Sequence, residues 1–121
     1  MEKPHKRLEC WKKGIQITKE IYRITDCFPK AEQFGLTSQM RRASVSIPSN
    51  IAEGDELKTD KQSIHFFYTA KGSAAEVITQ ASIAFEIGYI NQETYCKIEQ
   101  NCKAISGMLT LLIKARSNTS S

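Results

Sequence analysis

With 121 residues, 40% of them apolar, three prolines and six glycines, the chain has the size and composition of one globular domain, which excludes two ordinary domains and a disordered polypeptide. Its 17 Lys and Arg against 13 Asp and Glu give a formal charge of +4, which permits a polyanionic partner without requiring one. No apolar run approaches the roughly 20 residues of a membrane span, and the first ten residues lack the apolar segment of a signal peptide, so we expect a cytoplasmic protein without a membrane partner.

The first predicted helix covers about residues 8–27. On a helical wheel its apolar residues cover an arc of about 200°, and they are Leu8, Trp11, Ile15, Ile17, Ile21, Tyr22 and Ile24. That arc is nearly twice the width that a single core-facing stripe requires. The side opposite the apolar arc carries the basic residues Lys12, Lys19 and Arg23.

The second predicted helix covers about residues 37–54, with Thr37 as its N-cap and Gly54 at its end. Pro48 lies inside it, where a proline has no N–H to donate to the carbonyl four residues back. A break there would make Ile47 a poor N-cap and leave only a very short second piece, so we predict one continuous helix that is kinked at Pro48. Nearby serine hydroxyls are expected to help satisfy the backbone at the bend.

A polar stripe runs along the same helix beside its apolar positions. Its members follow one another at spacings of 3, 4, 4 and 3, and they are Gln39, Arg42, Ser46, Asn50 and Glu53. Arg42 and Glu53 lie about 16 Å apart along the helix axis, so they cannot pair with one another. We therefore expect their partners on another helix, on another subunit or in water.

The third predicted helix covers residues 60–88 and begins with a capping box formed by Thr59 and Gln62. Its apolar arc is again about 200° wide. Lys71 lies within this arc, and two explanations remain open for it. Its side chain either extends past small neighbours to water or forms a salt bridge with a carboxylate such as Glu53.

The fourth predicted helix covers residues 92–116 and is capped by Asn91. Lys103 and Lys114 lie opposite its apolar face, and residues 117–121 are predicted to form a disordered tail. Four helices with short connections predict an all-α single domain over residues 1–121, folded as an up-down-up-down antiparallel four-helix bundle with the first helix beside the second and the fourth.

The wide apolar arcs of the first and third helices need a further explanation. Their flanks lie either under neighbouring connections or against other copies of the chain. Self-association is the more economical interpretation.

The four cysteines and two histidines predict neither a metal site nor a catalytic site. The cysteines are Cys10, Cys27, Cys96 and Cys102. They form no C-x-x-C pair, and only His5 and His65 could join them as metal ligands, so we expect buried free thiols and no cofactor. Without a base held beside a nucleophile or a Gly-rich phosphate loop, we expect no enzymatic activity.

Two stretches, "FPKAEQFGLTSQMRRASVSIPSNIAEG" and "FFYTAKGSAAEVITQASIAFEIGYI", resemble the signature stretches of the four-helix-bundle proteins encoded in intervening sequences of bacterial 23S rRNA genes. With "LECWKKG" near the start, the resemblance covers about residues 8–115. It implies a proline-bearing second helix and a ring-shaped homopentamer. The residues to which it assigns structural or interface roles are Arg41, Arg42, Pro48, Asn50, Glu53, Gly54, Lys71, Ser73 and Glu76.

The resemblance also implies a relationship to the accessory variability proteins of diversity-generating retroelements, which bind nucleic acid and assist a reverse transcriptase. Two functions therefore remain open. In the first, an oligomer engages the phosphates of structured RNA or another nucleic acid through an outer basic surface formed by Lys12, Lys19, Arg23, Lys103 and Lys114. In the second, an oligomeric scaffold recruits a protein partner, such as a reverse transcriptase, and these basic side chains only solvate an outer face.

Overall fold

All regular structure that the computed structural model describes, in residues 8–56 and 59–119, is helical. The elements are α1 (Glu9–Thr25), a 3₁₀ turn (Lys30–Glu32), α2 (Leu36–Glu56), α3 (Asp60–Ile87) and α4 (Gln92–Thr119). Within the described ranges α1 and α3 each pack beside both α2 and α4, and the diagonal pair α2 and α4 is joined at one end by an ion pair in which Arg116 Nη2 lies 3.3 Å from Asp55 Oδ1. The predicted all-α class with four helices is confirmed, and the contacts are those of a four-helix bundle.

The core lies between the four helices and is built from their apolar faces. Its fully buried side chains include Ile17, Ile21, Met40, Ile47, Phe67, Ile98 and Leu109. Each such side chain contributes roughly 1.5–3 kcal/mol when it is removed from water, so burial of these faces is the main force that holds the helices together. No helix in the described ranges combines the length and the hydropathy that a membrane span requires.

Two of the predicted helix starts are confirmed by their capping hydrogen bonds. Thr59 Oγ1 accepts a hydrogen bond of 3.2 Å from the Gln62 N–H at the start of α3. Asn91 Oδ1 accepts one of 2.8 Å from the Thr94 N–H at the start of α4. At the end of α3, Gly88 adopts a left-handed conformation with φ of 97°, which a glycine tolerates without strain.

The start of α2 differs from the prediction. The helix begins at Leu36, and Thr37 is buried within it, so Thr37 is not the N-cap. Instead, Glu32 Oε1 accepts a hydrogen bond of 3.1 Å from the Leu36 N–H, and Glu32 Oε2 accepts one of 2.9 Å from the Tyr89 hydroxyl. The Glu32 carboxylate thus lies at the N-terminus of α2, where the helix dipole favours negative charge. It also joins α2 to Tyr89, which follows the end of α3.

Gly54 does not end α2, which continues to Glu56. A Cβ atom added at Gly54 would lie 2.8 Å from Cε1 of Phe67 and 3.1 Å from the carbonyl oxygen of Ser63. Gly54 is therefore the point of closest approach between α2 and α3, and the sequence prediction of a helix end is wrong because the glycine serves packing between helices.

The remaining boundaries differ by a few residues. Helix α1 ends at Thr25, before the predicted end at 27. Helix α4 continues to Thr119, so the segment predicted as a disordered tail is helical as far as that residue. Residues 120–121 of that predicted tail lie outside the described residues.

Helix α2 passes through Pro48 without interruption, as predicted. The Ser44 carbonyl, which loses its helical donor to the proline, lies 2.9 Å from Thr18 Oγ1 on α1, whose one hydroxyl hydrogen is shared between this carbonyl and the Gly14 carbonyl at 2.8 Å. One of the nearby serine hydroxyls does bond the backbone beside the proline, because Ser44 Oγ donates to the Arg41 carbonyl at 2.9 Å, but the carbonyl freed by the proline is reached by a threonine of another helix. A Cβ atom at Gly14 would lie 3.2 Å from Cβ of Pro48, so α1 packs closely on the proline ring.

We expect Thr18→Val to lower the free energy of unfolding by about 1–3 kcal/mol, because it leaves a buried carbonyl without a donor. In a Pro48→Ala background the amide restored at position 48 donates to the Ser44 carbonyl, so the cost of Thr18→Val should fall by at least about 0.5 kcal/mol. A denaturant double-mutant cycle measures this coupling, with Thr18→Ser as the control that keeps the hydroxyl. Equal costs in the two backgrounds would show that the Thr18 bond does not compensate for the proline.

All four cysteines are free thiols, and two of them are buried. Burial raises the pKa of the Cys10 thiol to about 11 and that of Cys102 to about 12, so both are protonated at neutral pH. Cys27 and Cys96 are exposed, which corrects the expectation of four buried thiols. Cys27 follows the last turn of α1, and Cys96 precedes the buried Ile98 by two residues and therefore points away from the core.

Candidate functional site

The predicted basic surface lies on α1 and α4, which are in contact. All five of its side chains are exposed: Lys12, Lys19, Arg23, Lys103 and Lys114. We call this set the basic surface. The contact between α1 and α4 brings the two groups of basic residues onto neighbouring helices, as the sequence predicted.

Three of these five residues pair with a glutamate on their own helix. Lys12 Nζ lies 3.6 Å from Glu9 Oε1, and Lys103 Nζ lies 3.8 Å from Glu99 Oε2. Arg23 Nε donates to Glu20 Oε2 at 3.0 Å, and this bond raises the pKa of Arg23 above its ordinary value. The sequence already contained this information in the spacings of three and four residues, which place such pairs on one helix face.

Within the part of the chain that the structure describes, Lys19 and Lys114 form no ion pair. The glutamates reduce the positive charge near the other three residues. Exposed pairs of this kind contribute little stability, so their basic side chains are still able to change partners.

A second surface, a polar groove of about 400 Å³, lies between α2 and α3. We call it the α2–α3 groove, and its polar lining residues are Gln39, Arg42, Ser46, Ser73, Glu76 and Gln80. The groove joins three members of the polar stripe on the second helix with Ser73 and Glu76 of the resemblance motif. Sequence analysis missed Gln80, although its spacing of four residues from Glu76 and seven from Ser73 places all three on one face of α3.

A small hydrogen-bond cluster joins the two walls of this groove. Ser73 Oγ donates to Ser46 Oγ at 2.8 Å across the helix interface. Asn50 Nδ2 donates to the Ser46 carbonyl at 2.8 Å and to Ser46 Oγ at 2.9 Å. Glu53, the last member of the polar stripe, is exposed and does not line the groove.

The other groove residues have unused hydrogen-bonding capacity. Gln80 is 8% exposed, and its Oε1 atom is buried without a hydrogen-bond partner in the part of the chain that the structure describes. Arg42 and Glu76 are exposed, and among the described residues neither forms a hydrogen bond or an ion pair. The groove therefore presents a cation, an anion and a buried acceptor to whatever approaches it.

The two adjacent arginines of the motif differ in their surroundings. Arg41 Nε donates to Thr25 Oγ1 at 2.9 Å, and its guanidinium carbon lies 4.6 Å from the centre of the Tyr22 ring. Its Nη2 atom lies 3.9 Å from Asp26 Oδ1. Arg41 thus attaches α2 to the end of α1, whereas Arg42 faces the groove.

The Lys71 ammonium bonds to α4. Its Nζ donates to Thr110 Oγ1 at 2.8 Å and lies 6.0 Å from the centre of the Tyr68 ring. The ion pair with Glu53 that the sequence allowed is absent from the described residues, because Lys71 extends toward the opposite neighbour of α3. In the described ranges no group of three His, Cys, Asp or Glu side chains is arranged to hold a metal ion.

Comparison with known proteins supports the fold and assigns the family. The chain is similar to the crystal structure of a protein of unknown function from the S23 ribosomal protein family of Bacteroides thetaiotaomicron VPI-5482, with 22% identity and a TM-score of 0.78 over 87% of this chain and 98% of that one. At this identity the likeness shows the fold alone. No curated protein matches the chain. The model of a family described as 23S rRNA-intervening sequence protein matches residues 6–111, and the chain therefore belongs to the 23S rRNA-intervening sequence protein family.

Proposed function

We propose that the protein is a non-enzymatic, self-assembling four-helix bundle that binds structured RNA through the basic surface. The observation that carries this proposal is that two helices in contact, α1 and α4, present five exposed basic side chains. Such a surface engages phosphates and leaves base edges unread, so we expect weak sequence preference and strong salt dependence. The protein would act in the cytoplasm without a cofactor.

The exposed ion pairs on the basic surface do not prevent phosphate binding. Lys19 and Lys114, which have no described ion pair, are able to contact phosphates directly. For the other three, a phosphate would replace a glutamate partner that contributes little stability in water. The scarcity of aromatic residues near this surface favours structured RNA over a single strand that requires stacking.

We propose that the helices follow an up-down-up-down path, with α2 bent at Pro48. Two bonds support an antiparallel course of α1 and α2, because Thr25 near the end of α1 bonds to Arg41 while the earlier Thr18 bonds to the later Ser44. Close packing of Gly14 against the proline ring supports a bend at that point.

Exposed apolar side chains support the self-association. Tyr22 on α1 is 45% exposed, and Tyr68 and Ile87 on α3 are 57% and 54% exposed. Because the connections leave these side chains exposed, contact with other copies is the better explanation for the wide apolar arcs. By family analogy we propose a ring-shaped homopentamer, whose five copies at +4 each carry a formal charge of +20.

This function is tested by two measurements on the same protein. At micromolar concentration, sedimentation should give the mass of a homo-oligomer built from rings of five subunits. Fluorescence anisotropy should then show binding to a labelled RNA hairpin at physiological salt. A monomer would contradict the assembly, and undetectable hairpin binding by an assembled protein would contradict the RNA function.

A second candidate function is favoured by the α2–α3 groove. Its unpaired charges of both signs suit a protein surface better than a polyanion. In this case the oligomer is a scaffold that recruits a protein such as a reverse transcriptase, by analogy with the accessory variability proteins, and has no contact with nucleic acid. Catalysis is absent from both proposals.

A further inference from the structure

We infer that the α2–α3 groove is a two-fold contact between two copies of this chain, in which Arg42 of each copy pairs with Glu76 of the other. The inference rests on the self-association proposed above and specifies a surface for it. A two-fold contact joins copies in pairs, so it would combine two rings of five into an assembly of ten.

The first argument is the buried oxygen of Gln80. This atom has no hydrogen-bond donor within the described chain, although the side chain is 8% exposed. Native proteins leave few buried polar atoms without partners, because each one loses its hydration without compensation. Gln80 lines the groove, so a rotation of its side-chain amide would bring this oxygen to a molecule that covers the groove and donates the missing hydrogen bond.

The second argument is the self-complementarity of the groove. Arg42 lies on the α2 wall and Glu76 on the α3 wall, and neither has a partner among the described residues. In a two-fold contact, if residue i touches residue j then j touches i. A second copy of the groove therefore supplies a carboxylate for Arg42 and a guanidinium for Glu76 in the same contact.

The second copy also supplies donors for Gln80. Gln39 and Arg42 line the groove with an amide and a guanidinium, and both side chains are exposed and long enough to extend outward. Their N–H groups are the type of donor that the buried Gln80 oxygen lacks.

Apolar side chains border the groove on both sides. Val45 on α2 is 40% exposed, and Ile83 on α3 is 45% exposed. A neighbouring depression shares Gln39, Glu76 and Gln80 with the groove, and its lining also includes the small residues Gly72 and Ala75 of α3. Small residues allow a facing helix to approach closely, so this face combines apolar contact with the central charged pairs.

Charge and position favour a second copy over RNA at this groove. Arg42 and Glu76 cancel in charge, whereas phosphate binding requires a positive surface. The groove lies on α2 and α3, while the basic surface lies on α1 and α4. A second copy at the groove therefore leaves the basic surface open to RNA.

The test exchanges the two charges. We expect Arg42→Glu and Glu76→Arg each to raise the constant for dissociation of the assembly of ten into two rings by about tenfold or more. Each change places two like charges in contact across the two-fold axis. The double variant, Arg42→Glu with Glu76→Arg, should return the constant to within about threefold of the parent, because it restores opposite charges across the two-fold axis. Sedimentation over a concentration series measures these constants.

Matched controls make the same charge changes outside the groove. Lys97→Glu on α4 and Glu86→Arg on α3 alter exposed positions that have no described ion pair, and they should leave the assembly unchanged. A further variant, Gln80→Leu, should change subunit stability and assembly in opposite directions. It should raise the midpoint temperature of unfolding of the dissociated subunits, because an unsatisfied buried acceptor is removed. It should also weaken assembly by roughly tenfold, because a contact between copies is lost.

The outcomes separate this inference from the proposal on which it rests. An assembled parent whose mass is unaffected by the single reversals, or is not restored by the double variant, contradicts the two-fold groove contact alone, including the case in which a different protein occupies the groove. A parent that is monomeric at micromolar concentration contradicts the self-association as well. RNA binding is scored separately on the same samples.

Discussion

Replacing Lys12, Lys19, Arg23 and Lys103 by Gln is expected to lower the affinity for an RNA hairpin by about 100-fold or more at physiological salt. Each phosphate that a basic residue neutralises contributes roughly −0.7 to −0.9 to the slope of log affinity against log salt concentration. If all four residues contact phosphates, the slope should become shallower by about 3. Several subunits that engage one RNA make later contacts intramolecular, so the loss is multiplied across the assembly.

The control for this variant removes charge elsewhere. Lys30, Lys61 and Lys97 are exposed but lie outside the basic surface, and their replacement by Gln should change the slope much less per charge removed. Circular dichroism and sedimentation must show that both variants keep the fold and the oligomeric mass of the parent. An unchanged slope in the quadruple variant would mean that this surface does not bind RNA, and the protein scaffold would become the preferred function.

We expect Gly54→Ala to lower the free energy of unfolding by up to about 2 kcal/mol. In an exposed helix this change is stabilising by about 1 kcal/mol, because alanine is the better helix former. At Gly54 the new methyl group would lie 2.8 Å from the ring of Phe67, which is completely buried, and 3.1 Å from a backbone oxygen. Neither neighbour is the end of a flexible side chain, so the helices must separate at an overpacking cost of about 1–3 kcal/mol.

Gly107→Ala provides the matched control for this prediction. Gly107 lies inside α4, and apart from its chain neighbours and its own helix backbone no described atom lies within 4 Å of a Cβ added there. The same substitution should therefore stabilise the protein by up to about 1 kcal/mol. Urea denaturation of both variants measures the difference in sign, and stabilisation by Gly54→Ala would contradict the close approach of α2 and α3.

The sequence by itself determined the features that depend on neighbours a few residues apart. The number of helices, the caps at Thr59 and Asn91, and the continuity of α2 through Pro48 follow from periodicity, local hydrogen bonds and the poor capping that a break would require. The family followed from two stretches of sequence. The basic residues of α1 and α4 were placed on neighbouring helices because short connections favour one packing order.

Only the tertiary structure decided the features that join distant parts of the chain. Thr18 satisfies the Ser44 carbonyl across 26 residues, and Gly54 owes its role to Phe67 on the next helix. The α2–α3 groove and the unpaired oxygen of Gln80 exist because two helices pack at one particular rotation and spacing. Periodicity identifies which side of a helix is apolar, but it does not specify which atoms of two helices meet, because that depends on how all four helices fill one core.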